Sequence, residues 1–153
     1  MSQIVAFFVA GIPAPKGSAK GYAYRQKRTG KWRAAVTHDN PRTKPWQAVV
    51  QYAAQMNFPY RPEFVGPVKV DMTFYLPKPK RAKKSAMIPT KKPDLDKLIR
   101  CTLDALKGIL YRDDAQVAQI TAFKFYNMPV RRVGGGAGPG VDIEIEPIIE
   151  VEE

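Results

Sequence analysis

From Val68 to Leu76 every second residue is apolar. Val68, Val70, Met72, Phe74 and Leu76 alternate with Lys69, Asp71, Thr73 and Tyr75. A period of two is the repeat of a strand with one buried face, and it predicts a strand over Phe64 to Leu76. Residues 3–10 (QIVAFFVA) are rich in β-branched and aromatic types and read as another strand. Val117 to Tyr126 and Val141 to Ile149 give two more, the last with strict alternation from Val141 to Glu146. Tyr22 to Gln26 and Lys31 to Thr37 can pair as a hairpin around Arg28-Thr29-Gly30. The spacing changes elsewhere. Trp46, Val49, Val50, Ala53 and Ala54 fall on one helical face, and Asn40-Pro41 reads as N-cap and first helical residue of a helix running to about Asn57. Leu95, Leu98, Ile99, Thr102, Leu106, Ile109 and Leu110 form the stripe of a second helix, from Asp94 to about Leu110. The expected fold is α+β: one domain over residues 1–153, a mixed sheet with two main helices packed on it.

A chain of 153 residues fits one modest core, and burying roughly two-thirds of its unfolded surface leaves room for a dimer to add stability. Its lone cysteine, Cys101, lies among apolar residues of the second helix and reads as a small core residue. Without a second cysteine there is no internal disulfide, in keeping with a reducing compartment. No stretch approaches the roughly 20 apolar residues of a membrane span, and the apolar run Ile4 to Ala10 lacks the basic start and cleavage pattern of a signal peptide. The expected location is the cytoplasm.

Charge alters this picture. The formal net charge is +11, unevenly spread. All 25 basic residues precede position 133, so residues 1–141, with eight acids, carry +17, whereas the acidic C-terminal segment 142–153 carries −6. A body so charged suits a polyanion, because each phosphate neutralised releases condensed counterions. An ordinary solvated basic surface is the plainer alternative. The acidic segment is most simply a solvated end. Pro77 to Lys84 holds five cations and two prolines and reads as a mobile basic loop, with Lys80, Arg81, Lys83 and Lys84 as candidate phosphate contacts. In the hairpin, Tyr22, Tyr24 and Trp32 are interleaved with Lys27, Arg28, Lys31 and Arg33, a mixture able to stack on bases and hold phosphates. An exposed hairpin with a half-buried aromatic face fits equally well. The glycine-rich run 134–140 lacks the Gly-Lys-Ser/Thr ending of a phosphate loop and precedes a strand, so it reads as a turn.

The acids in the basic body are informative because they are few. Four of the eight are Asp in two short runs, Lys92-Pro93-Asp94-Leu95-Asp96-Lys97-Leu98-Ile99-Arg100 and Tyr111-Arg112-Asp113-Asp114-Ala115-Gln116-Val117. Short carboxylates of this kind hold a hard cation such as Mg²⁺, which takes one or two carboxylates together with waters and phosphate oxygens. Each also has a structural alternative: Asp94 as a helix cap, Asp96 as an anion in the first helical turn, and Asp113-Asp114 as turn caps.

Asp94-Leu95-Asp96, Leu98, Asp104-Ala105-Leu106 and Asp113-Asp114-Ala115-Gln116-Val117 together resemble the signature of the RusA family of crossover-junction endodeoxyribonucleases. The resemblance is tight over 93–117, looser for the first strand with its Pro13-Ala14-Pro15 turn and for the terminal strands, and not traceable in detail over 20–90. It implies a homodimer that cuts Holliday junctions by paired phosphodiester hydrolysis in DNA recombination and repair. It implies Mg²⁺, with Mn²⁺ as a substitute, on Asp94, Asp96 and Asp114. The partner it implies is branched DNA, with no membrane and no small-molecule substrate. The family's lysine four residues after the second Asp is Arg100 here. Arginine keeps the charge but cannot donate a proton at neutral pH, so its expected role is electrostatic, with Lys97 beside it. Where the family carries asparagines after the prolines, this chain has Lys16-Gly17-Ser18, so a DNA contact there falls to Lys16. Two rivals share the features: a nuclease for flaps or forks, and a non-catalytic basic DNA-binding protein.

The site poses a geometric problem. A helix from Asp96 to Leu110 is about 21 Å long, and four further residues reach at most about 14 Å. Either the helix is shorter, or Asp114 joins Asp94 and Asp96 of the other subunit.

Overall fold

The computed structural model describes residues 3–17, 19–38, 40–59, 64–128 and 138–151. The elements run β1 (Val5–Ala10), β2 (Ala19–Arg25), β3 (Trp32–His38), α1 (Thr43–Asn57), β4 (Val68–Leu76), α2 (Leu95–Leu106), a short 3₁₀ turn (Asp114–Gln116), β5 (Val117–Tyr126) and β6 (Gly140–Pro147). The main sheet has the order β1-β6-β4-β5, while β2 and β3 pair separately. β4 and β5 are parallel and the other pairs antiparallel, so the sheet is mixed. Parallel neighbours need a crossover connection. Here it is the loop after β4 followed by α2, which lays α2 against the sheet. The class is the α+β arrangement expected from the sequence.

Alternation in β4 becomes packing. Val68, Val70, Met72, Phe74 and Leu76 are buried, beside Val141, Ile143 and Ile145 of β6 and Val5, Phe7 and Val9 of β1. Trp46, Val50 and Ala54 of α1 and Leu98, Cys101, Ala105 and Leu106 of α2 close the core from the same side. Burial, and then the nearby Asp104 carboxylate, push the Cys101 thiol up to about 11, so it stays protonated as a core group. No helix among the described residues is long and apolar enough to cross a membrane.

At Gly140, where β6 meets Ala10 of β1, a side chain has no room: an added Cβ would overlap the carbonyl oxygen of Val9. Gly140→Ala is expected to cost about 1–3 kcal/mol, the usual range for forced overpacking, read as a lower urea midpoint at unchanged slope.

Three boundaries depart from expectation. α1 starts at Thr43 rather than Pro41, because Asn40 Oδ1 accepts from the Arg42 N–H (3.0 Å) and holds a turn ahead of the helix. β4 starts at Val68; Phe64 makes only an isolated bridge to Tyr111. α2 ends at Leu106, four residues early, as the chain turns through Gly108 at φ 77°. Ile109 and Leu110 remain buried beyond that turn. The acidic segment is not simply a solvated end either. Asp142, Glu144 and Glu146 belong to β6, and Glu146 lies 3.6 Å from Lys69 of β4. The loop after β4 is tied down in part, with Lys78 Nζ donating to the Lys84 carbonyl (2.8 Å). The glycine-rich run lies outside the described residues over 134–137.

Candidate metal-binding site

Asp94 occupies the N-cap position of α2, but its side chain makes no capping hydrogen bond. The capping alternative is therefore not realised there. Its carboxylate is half exposed and lies 3.4 Å from Lys97 Nζ. Asp96 follows in the first turn, exposed, where the helix dipole favours an anion. Arg100 is exposed one turn further on and makes no ion pair among the described residues.

The second run divides its labour. Asp113 is structural: its Oδ1 accepts from the Ala115 N–H (2.9 Å), and the Gln116 side chain accepts from the Asp113 N–H (3.0 Å), forming a reciprocal capping box. Gln116 also donates to the carbonyls of Phe64 (2.8 Å) and Gly66 (3.0 Å), which fixes the turn to the segment leading into β4. Asp114 is released from this work. Its Oδ1 is buried and has no hydrogen-bond partner among the described residues. Tyr111 lies beside it, but the phenol proton goes to the Leu103 carbonyl at 2.8 Å. Burial first, and then the charge of the Asp114 carboxylate and a side-chain hydrogen bond with it, hold that phenol far above its ordinary pKa, so it stays protonated and Oδ1 is the Asp114 oxygen left without a partner among the described residues. A buried carboxylate oxygen without a donor is costly unless a cation or proton meets it. The donor set here, hard carboxylate oxygens next to a basic surface, fits a divalent ion such as Mg²⁺.

The three carboxylates do not gather within one chain. Among the described residues no group of three or more metal-ligating side chains forms. The shorter helix alone does not solve the problem. Tyr111 folds back onto Leu103, so Asp114 lies by the last turns of α2, whereas Asp94 and Asp96 lie at its start. Seven residues of helix, from Asp96 to Leu103, amount to about 10 Å. Asp104, in the stretch that carried the family resemblance, acts electrostatically on Tyr111 as Asp114 does. Its side chain pairs with Lys16, a contact between residues 88 positions apart that no local spacing signals.

Two further features adjoin the start of α2. A cavity of about 350 Å³ is lined by Lys16, Lys20, Arg42, Lys92 and Lys97, with Asp94 its one acid among the described residues. Lys16 is held there by its N–H donating to the Lys97 carbonyl (3.0 Å). Lys16 and Lys97 are expected DNA contacts from the sequence; Lys20, Arg42 and Lys92, which come from three separate segments, are added by the fold. On β2, Lys20, Tyr22 and Tyr24 alternate on one face, and the two tyrosine rings lie 6.0 Å apart. Trp32 at the hairpin's other strand is 71% exposed.

Lys80, Arg81, Lys83 and Lys84 are all exposed on the loop after β4. Neutralising all four is expected to lower DNA affinity without altering sequence choice. The slope of log affinity against log salt should flatten by about 0.9 per lost duplex phosphate contact. An unchanged slope would mean that the loop does not touch DNA.

Known proteins define the class of this chain. The family model described as "Endodeoxyribonuclease RusA" matches residues 14–146. The chain is also 33% identical over 135 residues to "Uncharacterized protein YqaN" of Bacillus subtilis (strain 168), an alignment covering 80% of this chain and 88% of that protein. The chain thus belongs to the RusA family of endodeoxyribonucleases. The matched span includes Asp94, Asp96, Asp114 and the segment 20–90 that the motif alone left unaligned.

Proposed function

We propose that the chain is a divalent-metal-dependent nuclease that resolves four-way DNA junctions by paired hydrolysis, and that each of its two sites is completed across a homodimer. The observation that carries this is the Oδ1 of Asp114, buried and without a hydrogen-bond partner among the described residues, in a family of endodeoxyribonucleases. Asp94 and Asp96 of one protomer, with Asp114 of its partner, would hold Mg²⁺ or Mn²⁺. Antiparallel packing of two α2 helices about a two-fold axis puts one helix's end beside the other's beginning. With the ion bound, the chemistry supplied is an activated water and positive charge at the phosphate. The side chains do the rest. Arg100 lies one turn after Asp96, exposed and without an ion-pair partner among the described residues, and holds the phosphate by charge alone. Lys97 keeps Asp94 oriented. Lys16, Lys80, Arg81, Lys83 and Lys84 draw the strands onto the protein without reading sequence. Two sites related by a two-fold axis suit a junction of the same symmetry.

A nuclease for flaps or forks would use the same site. The substrate is decided by comparing cleavage of a synthetic four-way junction, a flap and a linear duplex, each with Mg²⁺ and with chelator. Symmetric paired nicks in the junction, dependent on Mg²⁺ and far faster than cutting of the other two, are expected. Preferential cutting of the flap would overturn the junction assignment. Binding of all three with no cutting would favour a DNA-binding protein without catalysis.

A further inference from the structure

Next to the cationic cavity lies a second one, of about 320 Å³, with a different character. Its walls are Ile12, Pro13, Leu76, four more prolines (Pro77, Pro79, Pro89 and Pro93) and Tyr126, with Arg42, Lys91 and Lys92 among them. Arg42, Lys92 and Pro93 line both cavities and so form their shared boundary. Pro93 immediately precedes Asp94. The wall is fixed from below, since Lys124 Nζ donates to the carbonyls of Lys91 (3.1 Å) and Pro93 (3.0 Å). On the cationic side, Lys20, Arg42 and Lys92 make no ion pair among the described residues, whereas Lys16 and Lys97 are engaged with Asp104 and Asp94. Three cations without an ion-pair partner among the described residues therefore face one cavity, and a proline-lined slot opens across their shared wall.

A cationic pocket joined to an apolar one matches the two halves of a nucleotide. We propose that the paired cavities hold one nucleotide of the DNA strand beside the cleavage site. Its phosphate lies among Lys20, Arg42 and Lys92, and its base is turned out of the stack into the slot of Ile12, Pro13 and Tyr126. Such a slot favours branched DNA for a physical reason. Turning out a base costs least where stacking and pairing are already interrupted, as at a branch point. The slot thereby adds structure selectivity that the phosphate contacts lack. This assignment rests on the nuclease reading above and deepens it by naming what holds the strand.

The test uses the full-length protein in chelator, so that binding is measured without cutting. Four-way junctions carry a single abasic site at successive positions around the branch, and affinities are taken for wild type, for Ile12→Ala and for Ile12→Ala with Tyr126→Leu. Ile12 is 49% exposed, so the single variant leaves the core untouched. At one position, removing the base should weaken wild-type binding relative to the double variant by about ten-fold, the scale of one base contact. The single variant should show part of that coupling, and linear duplex affinity should not change. Lys20→Gln, Arg42→Gln and Lys92→Gln together should weaken binding to junction and duplex alike, with a shallower salt slope. Junction binding with no position coupled to Ile12 or Tyr126 would overturn the slot while leaving the nuclease reading intact. Failure of wild type to prefer the junction over duplex would overturn both.

Discussion

Asp114→Asn is expected to reduce Mg²⁺-dependent junction cleavage by well over about 100-fold, because even the outer partners of metal ligands cost about 10–100-fold when removed. Asp94→Asn and Asp96→Asn should do the same. Binding to the junction in chelator should persist or tighten in all three, since each removes a negative charge from a protein of net charge +11 that meets a polyanion. Asp114→Asn has a second expected consequence. Its Oδ1 is buried without a hydrogen-bond partner among the described residues, so the neutral amide should leave metal-free stability unchanged or raise it. A structural carboxylate would behave in the opposite way. The measurement is a pair of curves for each variant, cleavage against Mg²⁺ and unfolding against urea. Loss of folding and of binding together in all three variants would return these residues to the role of caps and turns.

Part of this was legible along the chain. Alternation from Val68 to Leu76 fixes a strand because one residue in two must face the core. The stripe through Leu98, Thr102 and Leu106 fixes a helix for the equivalent reason. The helix's end was not legible in that stripe. Ile109 and Leu110 continue the helical spacing and are buried, but they reach the core from a turn that Gly108 makes possible. An apolar pattern reports burial, not the backbone path that achieves it. Asp142, Glu144 and Glu146 carry two signals at once. Their charge looks like a solvated end, yet alternation with Val141, Ile143 and Ile145 seats them on the outer face of β6.

At the site, the two Asp runs stood out because acids are scarce in the basic body. Which Asp does what was not visible. Only the capping box separates Asp113, held by Ala115 and Gln116, from Asp114, whose Oδ1 has no hydrogen-bond partner among the described residues. Lys20, Arg42 and Lys92 are not joined by any sequence pattern, because no short window contains two of them. Their meeting is a product of tertiary structure.

Mixing two inactive variants tests the account most directly. Asp94→Asn and Asp114→Asn proteins are combined under conditions of verified subunit exchange and given a four-way junction with Mg²⁺. If each site takes Asp94 and Asp96 from one protomer and Asp114 from its partner, the heterodimer contains one doubly altered site and one fully native site. Nicking should then return, as single cuts rather than paired resolution. If each site were built within one chain, both sites of the heterodimer would carry one substitution, and the mixture would stay as inactive as its components. Recovered nicking is the predicted result, and continued inactivity after proven exchange would contradict the shared site.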